Sequence, residues 1–439
     1  MTTHRRRSAV MAAAAAGLVA LSLPAGAGAG AAYARDAAAT VPYAPSTVAN
    51  APAVPNAPTA PTAPAVTVPV PAPTPAPPPA SDEFPQLTPA VARQLDDAIR
   101  KVQTEAKVPG VIVALSAPGK GEYVRSFGIA DKATGAPMTP GLNMRIGSET
   151  KTFTVTALLE LVDEGKVGLD DPIGKYVEGV PNGDRITLRQ LAEMRSGLFN
   201  YSEDEGFFKA LTSDPRRPFT PQELLAYSFR HPVLFEPGAK FYYCNTNLIL
   251  LGLVVEKVSG IPLAEYINRE VVEPAGLRHT LFPTGAEFPK PHAHGYTDQT
   301  ATGKTEDATD WNPSWGWAAG AMISDLTDLR SWAKTLATGT LLTPATQAER
   351  LKVIDALPGT GYGLGIFNVQ GWIGHNGSLP GYQSLTVYLP QAQATLVVLL
   401  NTDIAYQGSE PSTLFGRAIT EIVTPEHVFT LPAQPVTGH

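Results

Sequence analysis

The chain has 439 residues and a formal net charge of −7, with 44% hydrophobic and 17% charged residues, which is the balance of a globular protein long enough to bury a sizeable core. Net acidity argues against nucleic acid as a partner, because phosphate binding needs clustered Lys and Arg and none is found beyond Arg5, Arg6 and Arg7. The single cysteine, Cys244, excludes an intramolecular disulfide.

Those three arginines open an expected export signal over residues 1–34. An apolar run from Ala9 to Leu23 follows, and small residues then lead to Ala32-Tyr33-Ala34, an A-x-A-like cleavage site. The apolar run is short for a membrane span and is broken by Pro24, so no stable span is expected after cleavage and the mature chain is expected outside the cytoplasm. Residues 35–86 are rich in Ala and Pro. The stretch from Pro69 to Pro79 reads as polyproline II, a semi-rigid spacer that cannot build a core.

Order is expected from 87 to 430, with 431–439 as a tail. Thr88-Pro89 makes a good N-cap and first helical residue for a helix to about Lys107. Val111–Ser116 and Glu122–Gly128 read as a hairpin across Pro118-Gly119. Gln383–Leu389 and Thr395–Leu400 read as two more strands, with a last helix over Pro411–Ile422. Strands at both ends and a mostly helical middle predict an α+β fold of two lobes. The sheet lobe is placed at about 88–145 and 310–425 and the helical lobe at about 146–309, with a site in the cleft between them.

Three short motifs carry chemistry. Ser148 and Lys151 stand three apart at the start of a helix that is apolar on most faces and stops at Gly165, so the amine can reach the hydroxyl and act as the base a serine nucleophile needs. Tyr243-Cys244-Asn245 offers a phenol to shuttle a proton and an amide to orient both Lys151 and a substrate carbonyl. Cys244 itself reads as a small buried residue. His375-Asn376-Gly377-Ser378 would place a polar or cationic His in the cleft and let the Gly377 backbone approach a substrate closely. The N–H groups of Ser378 and Ser148 would then form an oxyanion hole.

In this order the motifs resemble the active-site serine penicillin-recognising enzymes: class C β-lactamases and, more closely, secreted actinomycete D-alanyl-D-alanine carboxypeptidases. Further stretches of similar text include Met144–Phe153, Arg195–Leu198, Phe235–Ala239, Trp317–Ser324 and Tyr362–Gly365. The resemblance implies a five-stranded antiparallel sheet with helices on both faces plus an all-helical lobe, and an acyl-enzyme on Ser148 with Lys151 and Tyr243 sharing the base role. It implies no metal or organic cofactor.

Departures bear on substrate. No Arg accompanies Tyr362–Gln370 to clamp a carboxylate, Asn376 stands where the family has Thr, and Met194 where it has His. A D-alanyl-D-alanine carboxypeptidase acting on peptidoglycan-type peptides leads. Esterase, D-aminopeptidase or amidase and β-lactamase stay open, so the partner is a small peptide, ester or β-lactam. A wall-binding sensor that acylates without turnover is the reading from another class. Trp311, Trp315 and Trp317 could line the cleft, Trp315 against substrate, or plug the lobe interface. His292 and His294 lack further ligands at metal spacing and read as structural.

Overall fold

The computed structural model describes residues 84–432. The expected export signal, nearly all of the expected spacer, and residues 433–439 lie outside the described residues. The first helix, α1 (Pro89–Glu105), begins as its sequence dictates: Thr88 Oγ1 accepts from the Val91 N–H and Pro89 fills the first turn.

Two continuous apolar runs form the middle of the sheet, β1 (Gly110–Ala117) and a strand at the far end of the chain, Ala394–Leu400, paired antiparallel with Val111 opposite Leu400. Numbering the sheet strands along the chain gives β2 (Gly121–Asp131), β3 (Ala136–Pro137), β4 (Ile354–Leu357), β5 (Thr360–Tyr362), β6 (Phe367–Val369), β7 (Trp372–Leu379), β8 (Tyr382–Leu389) and β9 (Ala394–Leu400). Their order in space is β3-β2-β1-β9-β8-β7-β6-β5-β4, nine strands in all. The expected five-stranded sheet is therefore too small. Its five are the long strands β2, β1, β9, β8 and β7. The other four have two to four residues each, too short to show a period-2 pattern in sequence.

Helices cover both faces. On β8, Leu385 points toward α5 (Pro411–Val423), where a Cβ on Gly416 would meet Leu385 Cδ2 at 2.7 Å. Its neighbours Ser384 and Thr386 therefore face the opposite side, where Ser384 Oγ donates to the Ile146 carbonyl at 2.9 Å. That side carries α2 (Thr150–Asp163) and α4 (Leu326–Thr338), locked together by Phe153 stacked on Trp332 at 4.0 Å and by Trp332 Nε1 donating to Thr152 Oγ1 at 2.8 Å. Next to α2 packs α3 (Asn245–Ser259), buried along most of its length. The segment 293–309, placed by sequence in the helical lobe, is instead tied to the sheet by side-chain bonds: the Tyr382 hydroxyl donates to the Ala293 carbonyl at 2.8 Å and Asn401 Nδ2 to the His294 carbonyl at 2.9 Å. No single helix among the described residues is long and apolar enough to cross a membrane.

Candidate active site

Ser148 sits in a 3-10 turn, Gly147–Glu149, that runs directly into α2. This helix ends where expected: Gly165 takes φ +70°, its N–H donates to Val162 O, and the Lys166 N–H reaches Leu161 O, a Schellman closure. Because α2 is buried on nearly every face, Lys151 is drawn fully into the interior. Its Nζ lies 2.8 Å from Ser148 Oγ and 2.8 Å from the Ala319 carbonyl. Burial pushes the Lys151 amine well below its ordinary range. A neutral amine donates one N–H to Ala319 O and presents its lone pair to the Ser148 hydroxyl, which is the arrangement of a general base.

Gly377 makes the turn possible. A Cβ there would stand 1.9 Å from the Ile146 carbonyl oxygen, and one on Gly147 would stand 2.8 Å from the Ser378 nitrogen. The glycine of the third motif thus admits the segment bearing Ser148, rather than a substrate, against β7. This contact brings the backbone of Ser378 beside the nucleophile.

Tyr243 precedes α3 and shares the cleft with Ser148. Lys151 Nζ is 4.9 Å from its ring centre. Burial raises the phenol's pKa, an effect that interaction with the Ser148 hydroxyl only partly offsets. The phenol is therefore a proton donor at neutral pH, and the buried amine is the better base of the pair.

Three sequence expectations are corrected. His375 is 2% exposed; its Nδ1 lies 2.5 Å from the Asn376 carbonyl and its Nε2 3.3 Å from the Tyr362 hydroxyl. Burial pushes its pKa down to about 3, so it is a neutral packing residue and not a cation in the cleft. Asn245 bonds neither Lys151 nor the Ser148 turn: its N–H donates to Asn200 Oδ1 at 3.1 Å and its Nδ2 to Ser202 Oγ at 3.0 Å, leaving Oδ1 buried without a partner. Trp315 lies outside the cavity, packed 6.0 Å from Phe207, with its carbonyl accepting from Tyr201. The other expected residues do come together. Ser148, Tyr243, Asn245, Asn376 and Ser378 line one cavity of about 490 Å³.

Sequence reasoning missed the acidic groups of that cavity, Glu203 and Glu410. Glu203 is held by Tyr242, whose hydroxyl donates to Oε2 at 2.5 Å, and by Asn200 Nδ2 at 3.2 Å. Glu410 accepts from Asn376 Nδ2 at 2.8 Å, and burial raises its pKa. No Arg, Lys or His lines the cavity among the described residues. Cys244 is buried, with its thiol pushed up to about 12. Met194 takes the place of the family His: its sulfur accepts from the Cys244 N–H at 3.5 Å. The His292 and His294 rings point to separate partners, Phe288 and Asp307.

A serine beside a buried lysine amine, in a cleft between sheet and helices, defines a serine hydrolase. The sequence pattern of the Beta-lactamase family matches residues 95–411, and the chain belongs to that family. Over 330 residues it is 24% identical to the putative penicillin-binding protein PbpX of Bacillus subtilis, covering 73% of this chain and 80% of that one. A D-stereospecific amidohydrolase from Streptomyces sp. superposes with TM-score 0.66 at 31% identity, over 71% of this chain and 94% of its own. The D-amino acid amidase of Ochrobactrum anthropi SV3, solved with L-phenylalanine amide, gives 0.65 at 28% identity, over 76% and 97%.

Proposed function

We propose that the chain is an exported amidohydrolase that cleaves amides or short peptides of D-amino acids bearing a free amino group, through an acyl-enzyme on Ser148. The observation that carries this reading is the charge of the cavity. Glu203 and Glu410 offer acceptors, and no cationic side chain lines the cavity among the described residues. An ammonium group finds partners there, and would draw Glu410 back toward its ionised form. The carboxylate of a carboxypeptidase substrate finds like charge instead, so that reading takes second place. The D-configuration rests on the similar amidohydrolases, and export on the Arg5–Ala34 leader pattern.

In the acylation step, Ser148 Oγ attacks the carbonyl carbon as its proton passes to Lys151 Nζ. The N–H groups of Ser148 and Ser378 take the oxyanion. The C–N bond then breaks as Tyr243 donates its phenolic proton to the leaving nitrogen, and Lys151 returns a proton to Tyr243. Water repeats the cycle on the ester and frees the acid.

The test follows ammonia release from D-phenylalanine amide, and D-alanine release from an N-acetylated peptide ending in D-Ala-D-Ala, with Ser148→Ala as the blank. Ammonia release that needs Ser148, and that N-acetylation of the amide lowers by about tenfold or more, is expected. Brisk D-alanine release with an inert amide would sink the proposal in favour of the carboxypeptidase.

A further inference from the structure

The segment that follows α5 returns to the active-site cavity. It is fixed to the sheet and to α5 before it gets there. Trp372 Nε1 donates to the His427 carbonyl at 2.8 Å, and His427 Nδ1 lies 2.8 Å from the Gln370 carbonyl. The Phe429 N–H donates to Thr420 Oγ1 at 2.8 Å, with the Phe429 ring 1% exposed against Gly416. Two residues span at most about 7 Å, so these anchors confine Leu431 to the edge of the sheet. There Leu431 and Pro432 line the same cavity as Ser148, beside Leu357 of β4 and Phe367 of β6.

Polar groups line the cavity from both parts of the chain, Glu203 and Asn245 from the helical part and Asn376 and Glu410 from the sheet side. The short edge strands and the segment after α5 contribute Leu357, Phe367, Leu431 and Pro432. None of these apolar groups is needed for the proton transfers on Ser148. Apolar surface facing a reactive serine selects an apolar substituent near the scissile bond, because burying it there removes both surfaces from water.

We infer that Leu431 is a specificity-determining residue, which with Leu357 and Phe367 forms the subsite for an aliphatic or aromatic substituent flanking the scissile carbonyl. This does not depend on the amidohydrolase reading, since it concerns any acyl group delivered to Ser148.

Activated esters acylate a serine whatever its natural leaving group, so kcat/KM is measured for p-nitrophenyl hexanoate and p-nitrophenyl acetate. In Leu431→Ala the hexanoate-to-acetate ratio falls by about tenfold or more, the scale of one lost methylene contact. Leu431→Met, of similar volume and polarity, restores the ratio. An unchanged ratio in Leu431→Ala, or an equal fall for both esters, would overturn the inference. Thermal unfolding of both variants separates a lost contact from a lost fold.

Discussion

Replacing Gly377 by alanine tests how tightly the nucleophile's position depends on β7. The added methyl would stand 1.9 Å from the Ile146 carbonyl oxygen and 2.5 Å from Ser384 Oγ. Ser384 can rotate away, although it then gives up its bond to that same carbonyl. Ile146 cannot, because it is backbone, and its own N–H is tied to the Met322 carbonyl at 3.1 Å. Since side-chain carbons essentially never approach a heavy atom closer than 3.0 Å, either β7 or the Ser148 turn must move by about 1 Å. A displacement of that size at a reacting centre costs about 10²-fold in rate. Overpacking of this kind also costs about 1–3 kcal/mol of stability, or a few degrees in Tm for a domain of this size. The assay is the acylation burst with an activated ester, alongside thermal unfolding. Wild-type burst kinetics in Gly377→Ala would refute the reasoning, and so would an inactive protein that had simply unfolded.

Lys151→Met should slow acylation by about 10²–10⁴-fold, the range for a lost general base. The same variant should unfold at a higher temperature near neutral pH. The amine's folded pKa is lowered, so the unfolded chain holds the extra proton and the native state is penalised below the ordinary lysine pKa. A lower Tm would contradict the buried neutral amine. Glu149 lies beside Ser384 and Thr386, its carboxyl oxygens are buried without hydrogen-bond partners, and its pKa is raised to about 8. The stability this group confers is complete below the ordinary carboxyl pKa and is lost as pH rises to about 8. Glu149→Gln should flatten that decline in denaturant titrations from pH 4 to 9, and parallel curves would count against it. Cys244, buried with its thiol at about 12, should resist a thiol-disulfide reagent in the native enzyme and react after unfolding. Rapid native labelling would show the burial to be wrong.

What the sequence determined by itself was whatever rests on local pattern. Apolar runs long enough to show their period located four of the five long strands, and Trp372–Leu379, interrupted by Gly374 and Gly377, was not placed. Thr88-Pro89 and Gly165 bounded their helices, and the Ser148–Lys151 spacing put amine and hydroxyl on one helical face. Tertiary structure alone decided the rest. The four short strands exist only because neighbouring strands offer them backbone partners. His375 is neutral because the layers closing over it remove water, which no reading of its motif reveals. Asn245 turns to Asn200 and Ser202, and Trp315 to Phe207, because those partners arrive from distant stretches of chain. Glu203, Glu410 and Leu431 lie in three separate segments with no shared motif. Their meeting beside Ser148 is a product of packing, and it gives the cavity its acidic and apolar groups.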